Sequence, residues 1–539
     1  MSSLRTLAIL MVVVALSHHR VSAEQKEIAT SAIVDPRGIS GALMLVGDGE
    51  ISNEVRQTLF KLGGRKRGRL VIIASASEEE NEVPVKPILE EWAQGWGSVD
   101  VVHFRNGVES SSWIEPLRNA TAVWISGASR HPFTKDTEAE ILRKELSKLL
   151  RRGGVIAGTN VITAMVSQEI FQDNDGNQPA TQGWGFLPHS IIDFASSKEG
   201  VEDPLRRAVQ RHPQCVGVEV DESTALVLQG RTLRVLGKGN SRFCFAVTEF
   251  YKDELTISLR PGETGDWVQL QRTAHERLQP LFPPVKFPQA PECKGSLVIV
   301  GGGGMPSDVL DRFIELAGGP AAKIVVLPTA MPELADAEQE AALFANYTVS
   351  SLTVLPQTSP EEVQEASFLQ SLDSATGVWF GGGRQWRYVD TYSDYSAWQA
   401  IKNVVERGGV VGGSSAGATI QGDLLVRGHP LGNEVMIADG YRHGLALLPG
   451  TAIDQHFKER NRFRDLESVI RRFPSVTGIG IDEQTALVVT GGKANVMGAG
   501  SVWLYRADQM PSEATNAQEV PVEFPTGSRI SVPNWKAEP

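Results

Sequence analysis

The second half of the chain places a serine in a glycine-rich turn, where its hydroxyl group can act as a nucleophile. The run Val410-Val-Gly-Gly-Ser-Ser415-Ala-Gly417 is an apolar segment that enters a turn with small residues around Ser415, and a helical pattern begins at Ala418. Small neighbours permit the strained backbone of a nucleophile elbow, which exposes the serine hydroxyl at a helix amino terminus. The spacing therefore predicts a serine hydrolase of the α/β type with Ser415 as its nucleophile.

Two residues further along the chain have the types that would complete such a site. His456, within Asp454-Gln-His456-Phe457, follows a strand-like run, and a serine needs such an imidazole to take its proton at neutral pH. Glu483 ends the apolar run Gly478-Ile-Gly-Ile-Asp-Glu483, where a carboxylate can fix the histidine tautomer and stabilise the imidazolium. Asp482 is an alternative for this third role, and an acid in such a turn can instead serve the fold.

Backbone donors for an oxyanion hole are also predicted. The loop Gly381-Gly-Gly-Arg-Gln385 is rich in glycine, so its N–H groups can be aimed at a developing negative charge. We expect the N–H groups of Gly382 and Gly383 to act together with that of Ala416, which follows the nucleophile. This chemistry needs no metal ion and no organic cofactor, and we expect neither.

These residues must be held by a framework of buried strands. In the second half, short runs rich in Val, Ile and Leu show no alternation and are separated by helical patterns such as 307–317 and 398–407. Buried parallel strands with crossover helices give this pattern. The prediction is a doubly wound α/β fold with a mostly parallel sheet, and active sites of such folds lie at the carboxyl ends of the strands.

The same order of landmarks occurs twice along the chain, which predicts an internal duplication. Each half opens with an apolar run into a glycine turn, and each contains an Arg-Gly-Gly run and an Asp-Glu turn. The matching pairs are 41–47 with 295–301, 152–158 with 407–413, and 218–222 with 479–483. We therefore expect two tandem doubly wound domains. The predicted boundaries are a signal peptide at 1–23, a first domain at 24–279, a proline-rich linker at 280–294, a catalytic domain at 295–510 and a tail at 511–539.

The first half lacks the residues that the reaction needs. Asn160 stands where the repeat places Ser415, Ala195 where it places His456, and Arg130 where it places Gln385, while Glu222 is kept opposite Glu483. We expect a catalytically degenerate domain that packs on the catalytic domain as a built-in partner, in place of a homodimer mate.

The composition argues against one class of binding partner, and the amino-terminal sequence indicates where the protein is located. The formal net charge of −12 over 539 residues argues against a nucleic-acid binder. Arg5, an apolar run at 7–16 and a small-residue site at 21–23 have the layout of a secretory signal peptide. We expect an extracellular or periplasmic protein with no membrane attachment after cleavage, and an uncleaved anchor is the alternative. The three cysteines, Cys215, Cys244 and Cys293, show no metal-ligand spacing.

Four motifs taken together resemble the cyanophycinase family of serine peptidases, which are relatives of the aspartyl dipeptidase called peptidase E. The motifs are Gly381-Gly-Gly-x-Gln385, Gly-Gly-Ser-Ser415-Ala-Gly, Asp454-Gln-His456-Phe-x-x-Arg460-x-Arg462 and Gly-Ile-Gly-Ile-Asp-Glu483. The resemblance implies a fold like those of peptidase E and class I glutamine amidotransferases. It also implies Ser415, His456 and Glu483 as the triad, and an enzyme that cleaves cyanophycin to β-Asp-Arg dipeptides. Together with the predicted signal peptide and the acyl-enzyme expected of a serine nucleophile, this gives a secreted serine peptidase as the expected function. The residues that it implies for the substrate pocket are Gln385, Asp454, Gln455, Arg460 and Arg462.

Alternatives remain open beside this resemblance. The family can carry an arginine where this chain has Asp465, which bears on substrate detail more than on chemistry. Another aspartyl or isoaspartyl peptide is the alternative substrate. A non-catalytic binding protein is a second alternative, although Ser415, His456 and a carboxylate all persist. A glutamine amidotransferase would need a cysteine at the elbow.

Overall fold

The chain forms two compact units, Met1–Leu278 and Gln279–Pro539. The computed structural model describes residues 34–75, 92, 94–104, 113–127, 137–159, 164–170, 181–194, 203–287, 294–331, 334–393, 396–510, 521–532 and 535–537. The predicted signal peptide at 1–23 lies outside these residues. Within them, no helix has both the length and the apolar character needed to cross a bilayer.

The first unit is built from strands β1 to β14 and helices α1 to α5. Its strands are β1 Ala42–Val46, β2 Arg69–Ser75, β3 Ser98–Phe104, β4 Ala122–Gly127, β5 Val155–Thr159, β6 Ser167–Ile170, β7 Thr181–Gln182, β8 Leu187–Phe194, β9 Val216–Val220, β10 Thr224–Gln229, β11 Thr232–Gly237, β12 Ser241–Phe245, β13 Leu255–Leu259 and β14 Thr264–Asp266. Its helices are α1 Asn53–Leu62, α2 Ile114–Asn119, α3 Thr137–Arg151, α4 Pro204–Arg211 and α5 Trp267–Glu276.

The second unit is built from strands β15 to β27 and helices α6 to α12. Its strands are β15 Ser296–Val300, β16 Lys323–Leu327, β17 Ser351–Val354, β18 Gly377–Phe380, β19 Val410–Ser414, β20 Thr451–Gln455, β21 Thr477–Ile481, β22 Thr485–Thr490, β23 Lys493–Gly498, β24 Ser501–Tyr505, β25 Val522–Pro525, β26 Arg529–Ser531 and β27 Lys536–Ala537. Its helices are α6 Ser307–Leu316, α7 Leu334–Ala342, α8 Ala366–Ser374, α9 Trp386–Tyr392, α10 Ser396–Glu406, α11 Ala416–Thr419 and α12 Phe463–Arg472.

The main sheets of the two units have the same strand order. The first runs β14-β11-β10-β1-β5-β4-β2-β3, and the second runs β26-β23-β22-β15-β19-β18-β16-β17, with β27 beyond β26. In each, the strands from the opening strand to the far edge are parallel, and antiparallel strands extend the other side. Each unit has a smaller mixed sheet, β13-β12-β9-β8-β6-β7 in the first and β20-β21-β24-β25 in the second. The predicted class of two doubly wound α/β domains is confirmed.

Strand β15 shows why an unbroken apolar run is required at the centre of the second sheet. Successive side chains of a strand point to opposite faces, and here Leu297 and Ile299 enter one core while Val298 and Val300 enter another. Helices α8 and α10 cover the first face, and helix α6 covers the second. Both faces are therefore buried, and the site must form at the end of the strands.

Two predicted boundaries need correction. The segment at 280–294 does not begin as a free linker, because Phe282 and Phe287 pack on the second unit and Ser475 donates a hydrogen bond from Oγ to the Pro284 carbonyl at 2.6 Å. Residues 288–293 lie outside the described part. The segment at 511–539 is not a detached tail either, because β25, β26 and β27 extend the sheets of the second unit. A few isolated apolar residues anchor these segments to the second unit. So sparse a pattern does not predict from sequence that the segments pack.

Candidate active site

The predicted elbow is present at the carboxyl end of β19. Ser415 has φ 55° and ψ −110°, between the strand and the one-turn helix α11. A non-glycine residue in such a conformation costs on the order of 1–3 kcal/mol and persists only where its surroundings enforce it. A Cβ on Gly417 would lie 2.3 Å from the Phe380 carbonyl oxygen, and one on Gly413 would lie 2.4 Å from the Gly417 carbonyl oxygen. The small residues therefore permit the turn, as the sequence indicated.

The structure brings the three predicted triad residues together. Ser415 Oγ lies 2.9 Å from His456 Nε2. The other ring nitrogen, Nδ1, lies 2.6 Å from Glu483 Oε1. In this arrangement a carboxylate holds the imidazole, and the free ring nitrogen can take the serine proton.

The loop that follows β15 aligns the triad. Three successive carbonyl oxygens in it accept hydrogen bonds from amides at or beside the triad positions. The pairs are Ser415 N to Val300 O at 3.0 Å, His456 N to Gly301 O at 2.8 Å, and Gln484 N to Gly302 O at 2.7 Å. The elbow, the base and the acid turn are therefore tied to one segment of backbone.

Two glycines of that loop leave room for the catalytic side chains. A Cβ on Gly302 would lie 2.3 Å from His456 Cε1, and one on Gly303 would lie 2.2 Å from Glu483 Oε2. Both glycines also have positive φ angles, +97° and +70°. Sequence analysis treated this run only as a strand-ending turn. The four consecutive glycines from Gly301 to Gly304 were the available signal.

The two candidate acids occupy different environments. Asp482 accepts hydrogen bonds from three donors: Lys458 N at 3.2 Å, Ser501 N at 3.0 Å and Trp503 Nε1 at 2.9 Å. Its carboxylate therefore holds the turn together. Burial raises the pKa of Asp482, and these donors oppose the shift. Glu483 is the carboxylate that contacts the histidine.

The electrostatic setting of His456 favours its neutral form. Burial lowers its pKa below the ordinary value of 6.5; the hydrogen bond that it donates to Glu483 raises the pKa, and the positive charge of Arg460 lowers it again. The histidine must be neutral to accept the serine proton. The lowered pKa keeps it ready to do so at neutral pH.

The glycine loop lies beside the nucleophile, but one of its predicted donors is already engaged. A Cβ on Gly382 would lie 3.7 Å from Ser415 Cβ, and the Gly382 N–H donates to Glu340 Oε1 at 3.1 Å. The N–H groups of Gly383 and Ala416 find no acceptor among the residues that the structure describes. Of the three predicted oxyanion donors, Gly383 and Ala416 are therefore available and Gly382 is committed elsewhere.

Four of the five residues implied for the substrate pocket are buried, and three of these four make side-chain hydrogen bonds or ion pairs inside the protein. Asp454 has no exposed surface and forms ion pairs with Arg427 and Arg462 at 3.0 and 2.8 Å. Gln385 donates from Nε2 to the carbonyls of Val426 and Arg427 at 2.9 and 2.8 Å. These contacts hold the side chains of Asp454 and Gln385 in the protein interior. Sequence reasoning missed Arg427, which carries no motif and lies in an irregular segment with φ 55°.

The remaining two implied residues are Gln455, which is also buried, and Arg460, which is exposed. Gln455 is 5% exposed, and its Oε1 atom has no hydrogen-bond partner within the described parts of the chain. Arg460 is exposed beside His456. Asp465, the position that departs from the family pattern, accepts a hydrogen bond from Arg427 Nη2 at 2.7 Å. The carboxylate of Asp465 is therefore paired with the guanidinium group of Arg427 in the same chain.

Several predictions for the first unit fall where the structure gives no description. Asn160, Ala195 and Arg130 lie outside the described residues. Cys215 and Cys244 are buried and unpaired with each other. No cluster of His, Cys, Asp and Glu side chains suited to a metal ion occurs in the portion of the chain that is described.

Comparison with known proteins places these observations in a family. The model of peptidase family S51 matches residues 43–236 and 297–497. The chain is 29% identical over 241 residues to the cyanophycinase of Geminocystis herdmanii, covering 43% of this chain and 87% of that protein. It is 30% identical over 259 residues to the cyanophycinase of Trichormus variabilis, covering 46% and 84%. A solved peptidase from an acI-B1 Actinobacterium is 22% identical with a TM-score of 0.36, covering 44% of this chain and 98% of that chain.

The two regions matched by the family model lie in different units of the structure. Together they cover more than half of the 539 residues. The chain therefore belongs to peptidase family S51 and is a serine-type peptidase.

Proposed function

We propose that this peptidase hydrolyses cyanophycin, a polymer of aspartate with arginine side groups, to β-Asp-Arg dipeptides. The observation that carries the proposal is the Ser415–His456–Glu483 hydrogen-bond chain, with distances of 2.9 and 2.6 Å. The cyanophycinases among its relatives support the choice of substrate. The chemistry of the site gives a second, independent reason.

In the proposed reaction, Ser415 Oγ attacks the scissile carbonyl while His456 Nε2 takes the hydroxyl proton. Glu483 stabilises the imidazolium that forms. The N–H groups of Gly383 and Ala416 bind the oxyanion, and the imidazolium then protonates the departing amine. Water, deprotonated by the same histidine, hydrolyses the acyl-enzyme, releases the acid product and restores the serine.

The residues around the triad suit a substrate with both carboxylates and amide groups. Exposed Arg460 can pair with a carboxylate, because guanidinium groups bind carboxylates with two parallel hydrogen bonds. Gln455 Oε1 has no hydrogen-bond partner among the described residues, but the atom is buried, so it can accept a substrate N–H only if the side chain rotates toward the site. The ion pairs that Asp454 and Asp465 make balance the two positive charges of Arg427 and Arg462.

The substrate proposal is tested by comparing hydrolysis of β-Asp-Arg and α-Asp-Arg peptides, and of cyanophycin itself. We expect release of β-Asp-Arg and little cleavage of the α-linked peptide. Equal or better cleavage of the α-linked peptide would instead favour the alternative of a broader aspartyl peptidase. Asp465 is the specific reason to keep that alternative, because it replaces a positive charge that the family can carry.

We also propose that the chain is secreted and arose by internal duplication. The layout of residues 1–23 supports secretion, and sequencing the amino terminus of the protein from culture medium or periplasm tests it, with Glu24 expected first.

The shared strand order supports duplication. Removing residues 24–278 tests the role of the first unit as a built-in partner. A remainder that is soluble, folded and fully active would contradict that role.

A further inference from the structure

We propose that Glu340 is a positioning residue for catalysis, which holds the oxyanion loop, Gly381–Gly383, in its working conformation beside Ser415. Glu340 lies on helix α7, more than seventy residues before the nucleophile in the chain. It contacts neither the serine nor the histidine. The assignment rests on the proposed function, since an oxyanion loop has a role only if Ser415 is acylated.

Both oxygens of the Glu340 carboxylate accept hydrogen bonds at this loop. Oε1 accepts from Gly382 N at 3.1 Å, and Oε2 accepts from Trp379 Nε1 at 3.1 Å. Trp379 belongs to strand β18 and is completely buried. One carboxylate therefore ties the middle of a glycine loop to a rigid core residue.

Other contacts also hold the loop: two fix its ends, and Tyr388 Oη donates to the Gly381 carbonyl at 2.7 Å, on the same peptide unit as the Gly382 N–H. Gly381 N donates to the Leu327 carbonyl at 3.1 Å, and Arg384 N donates to the Ala330 carbonyl at 3.0 Å. Between them, glycine residues allow the peptide planes to rotate at little steric cost. Glu340 and Tyr388 therefore hold the two sides of the peptide unit between Gly381 and Gly382, and the bond to Glu340 occupies the Gly382 N–H, which leaves the N–H groups of Gly383 and Ala416 as the free donors.

The chemistry of the side chain explains why this position is an acid. An ionised carboxylate accepts at both oxygens, whereas a glutamine places an NH₂ group against one of the two N–H donors. Burial raises the pKa of Glu340, and the bonds from Gly382 and Trp379 lower it. The two donors thus favour the charged form that the geometry requires.

The test compares wild type with Glu340→Gln and Glu340→Ala, and with Glu338→Gln as a matched control. Glu338 is an exposed acid on the same helix, so this control makes the same charge change away from the loop. The measurements are kcat and KM for peptide hydrolysis and the rate of labelling by a fluorophosphonate, which needs no assigned peptide substrate. We expect kcat and the labelling rate to fall about 10- to 100-fold in both Glu340 variants, with KM within about twofold, because small misplacements of oxyanion donors have such effects.

A kcat for Glu340→Gln within twofold of wild type, or an equal loss in Glu338→Gln, would overturn the assignment. Hydrogen exchange at the Gly382 amide of the wild-type protein gives a check that requires no variant to fold. We expect slow exchange, and exchange as fast as in an unstructured peptide contradicts the proposal. Failure of the proposed function has a different signature, because wild type would then be labelled at Ser415 but would release no β-Asp-Arg from cyanophycin.

Discussion

The triad lies in the second unit, and both units use the same turn between their smaller and main sheets. In the first, Thr224 Oγ1 donates to the Glu222 carbonyl at 3.0 Å and accepts from Gly239 N at 2.8 Å. In the second, Thr485 Oγ1 makes the equivalent bonds to Glu483 and Gly500 at 3.0 and 2.8 Å. The turn therefore belongs to the fold. The use of Glu483 as a catalytic acid is an addition to it.

The units differ at the loop after their opening strand. Ser223 N donates to the Asp48 carbonyl at 2.6 Å, as Gln484 N donates to the Gly302 carbonyl at 2.7 Å. Asp48 thus occupies the place of Gly302. Because a Cβ at Gly302 would overlap the His456 ring, a unit with aspartate here cannot seat a histidine in the same way. The shared turn and the different loop residue indicate that a unit can keep its fold while the residues around the candidate site change.

The largest expected difference between the units concerns their retained glutamates. Glu483→Gln should lower kcat by about 10⁴-fold, because the histidine loses the group that fixes its tautomer. Glu222→Gln makes the same change in the first unit and should leave kcat unchanged. Steady-state kinetics of the two variants measure this, and a comparable loss in both would mean that the first unit takes part in catalysis.

Adding a Cβ to the loop should also separate chemistry from fold. Gly302→Ala should lower kcat about 100-fold or more, because the methyl group displaces the His456 ring. Gly304→Ala is the control, since that glycine has a φ of +123° but its Cβ would come no nearer than 3.6 Å to Gln484 Cγ. Steady-state kinetics of both variants test this prediction, and circular dichroism confirms that each variant is folded. Equal losses would point to backbone strain instead.

Replacing the other acid of the turn should affect stability more than activity. Asp482→Asn should lower the free energy of unfolding by about 1–3 kcal/mol, because the amide NH₂ faces one of three N–H donors. Urea unfolding measures the change. We expect kcat of the folded protein to stay within about tenfold of wild type. A loss of about 10⁴-fold would make Asp482 the triad acid in place of Glu483.

The smallest expected effect is on the pH profile. Arg460 lowers the pKa of His456, so Arg460→Gln should raise that pKa. Because only the neutral histidine is a base, activity is lost as pH falls through this pKa, and the acid limb of kcat/KM should move to higher pH. Salt should reduce the shift, since Arg460 is exposed. Arg464→Gln is the control, and a limb that does not move for Arg460→Gln would contradict the assigned interaction.

Sequence alone was sufficient for features that local pattern determines. The elbow around Ser415 depends on small neighbours, and the doubly wound α/β class of each unit follows from buried runs joined by helices. The order of the motifs also identified His456. These features need no knowledge of which distant segments meet.

Features that depend on packing between distant segments could not be predicted in this way. Glu340 contacts the oxyanion loop from a separate helix, and Arg427 reaches Asp454 from an irregular segment. Asp454 and Arg462 were expected to line the substrate pocket, and the structure shows both buried and paired with each other at 2.8 Å. The direction of a side chain depends on its neighbours in space, which sequence spacing does not give.

The central claim is that one serine in the second unit performs the chemistry of the whole chain. Labelling the full chain with a fluorophosphonate, followed by intact mass and peptide mapping, tests it most directly. The account predicts one label per chain on Ser415, with no labelling of Ser415→Ala. A label in the first unit, or undiminished labelling of Ser415→Ala, would contradict it.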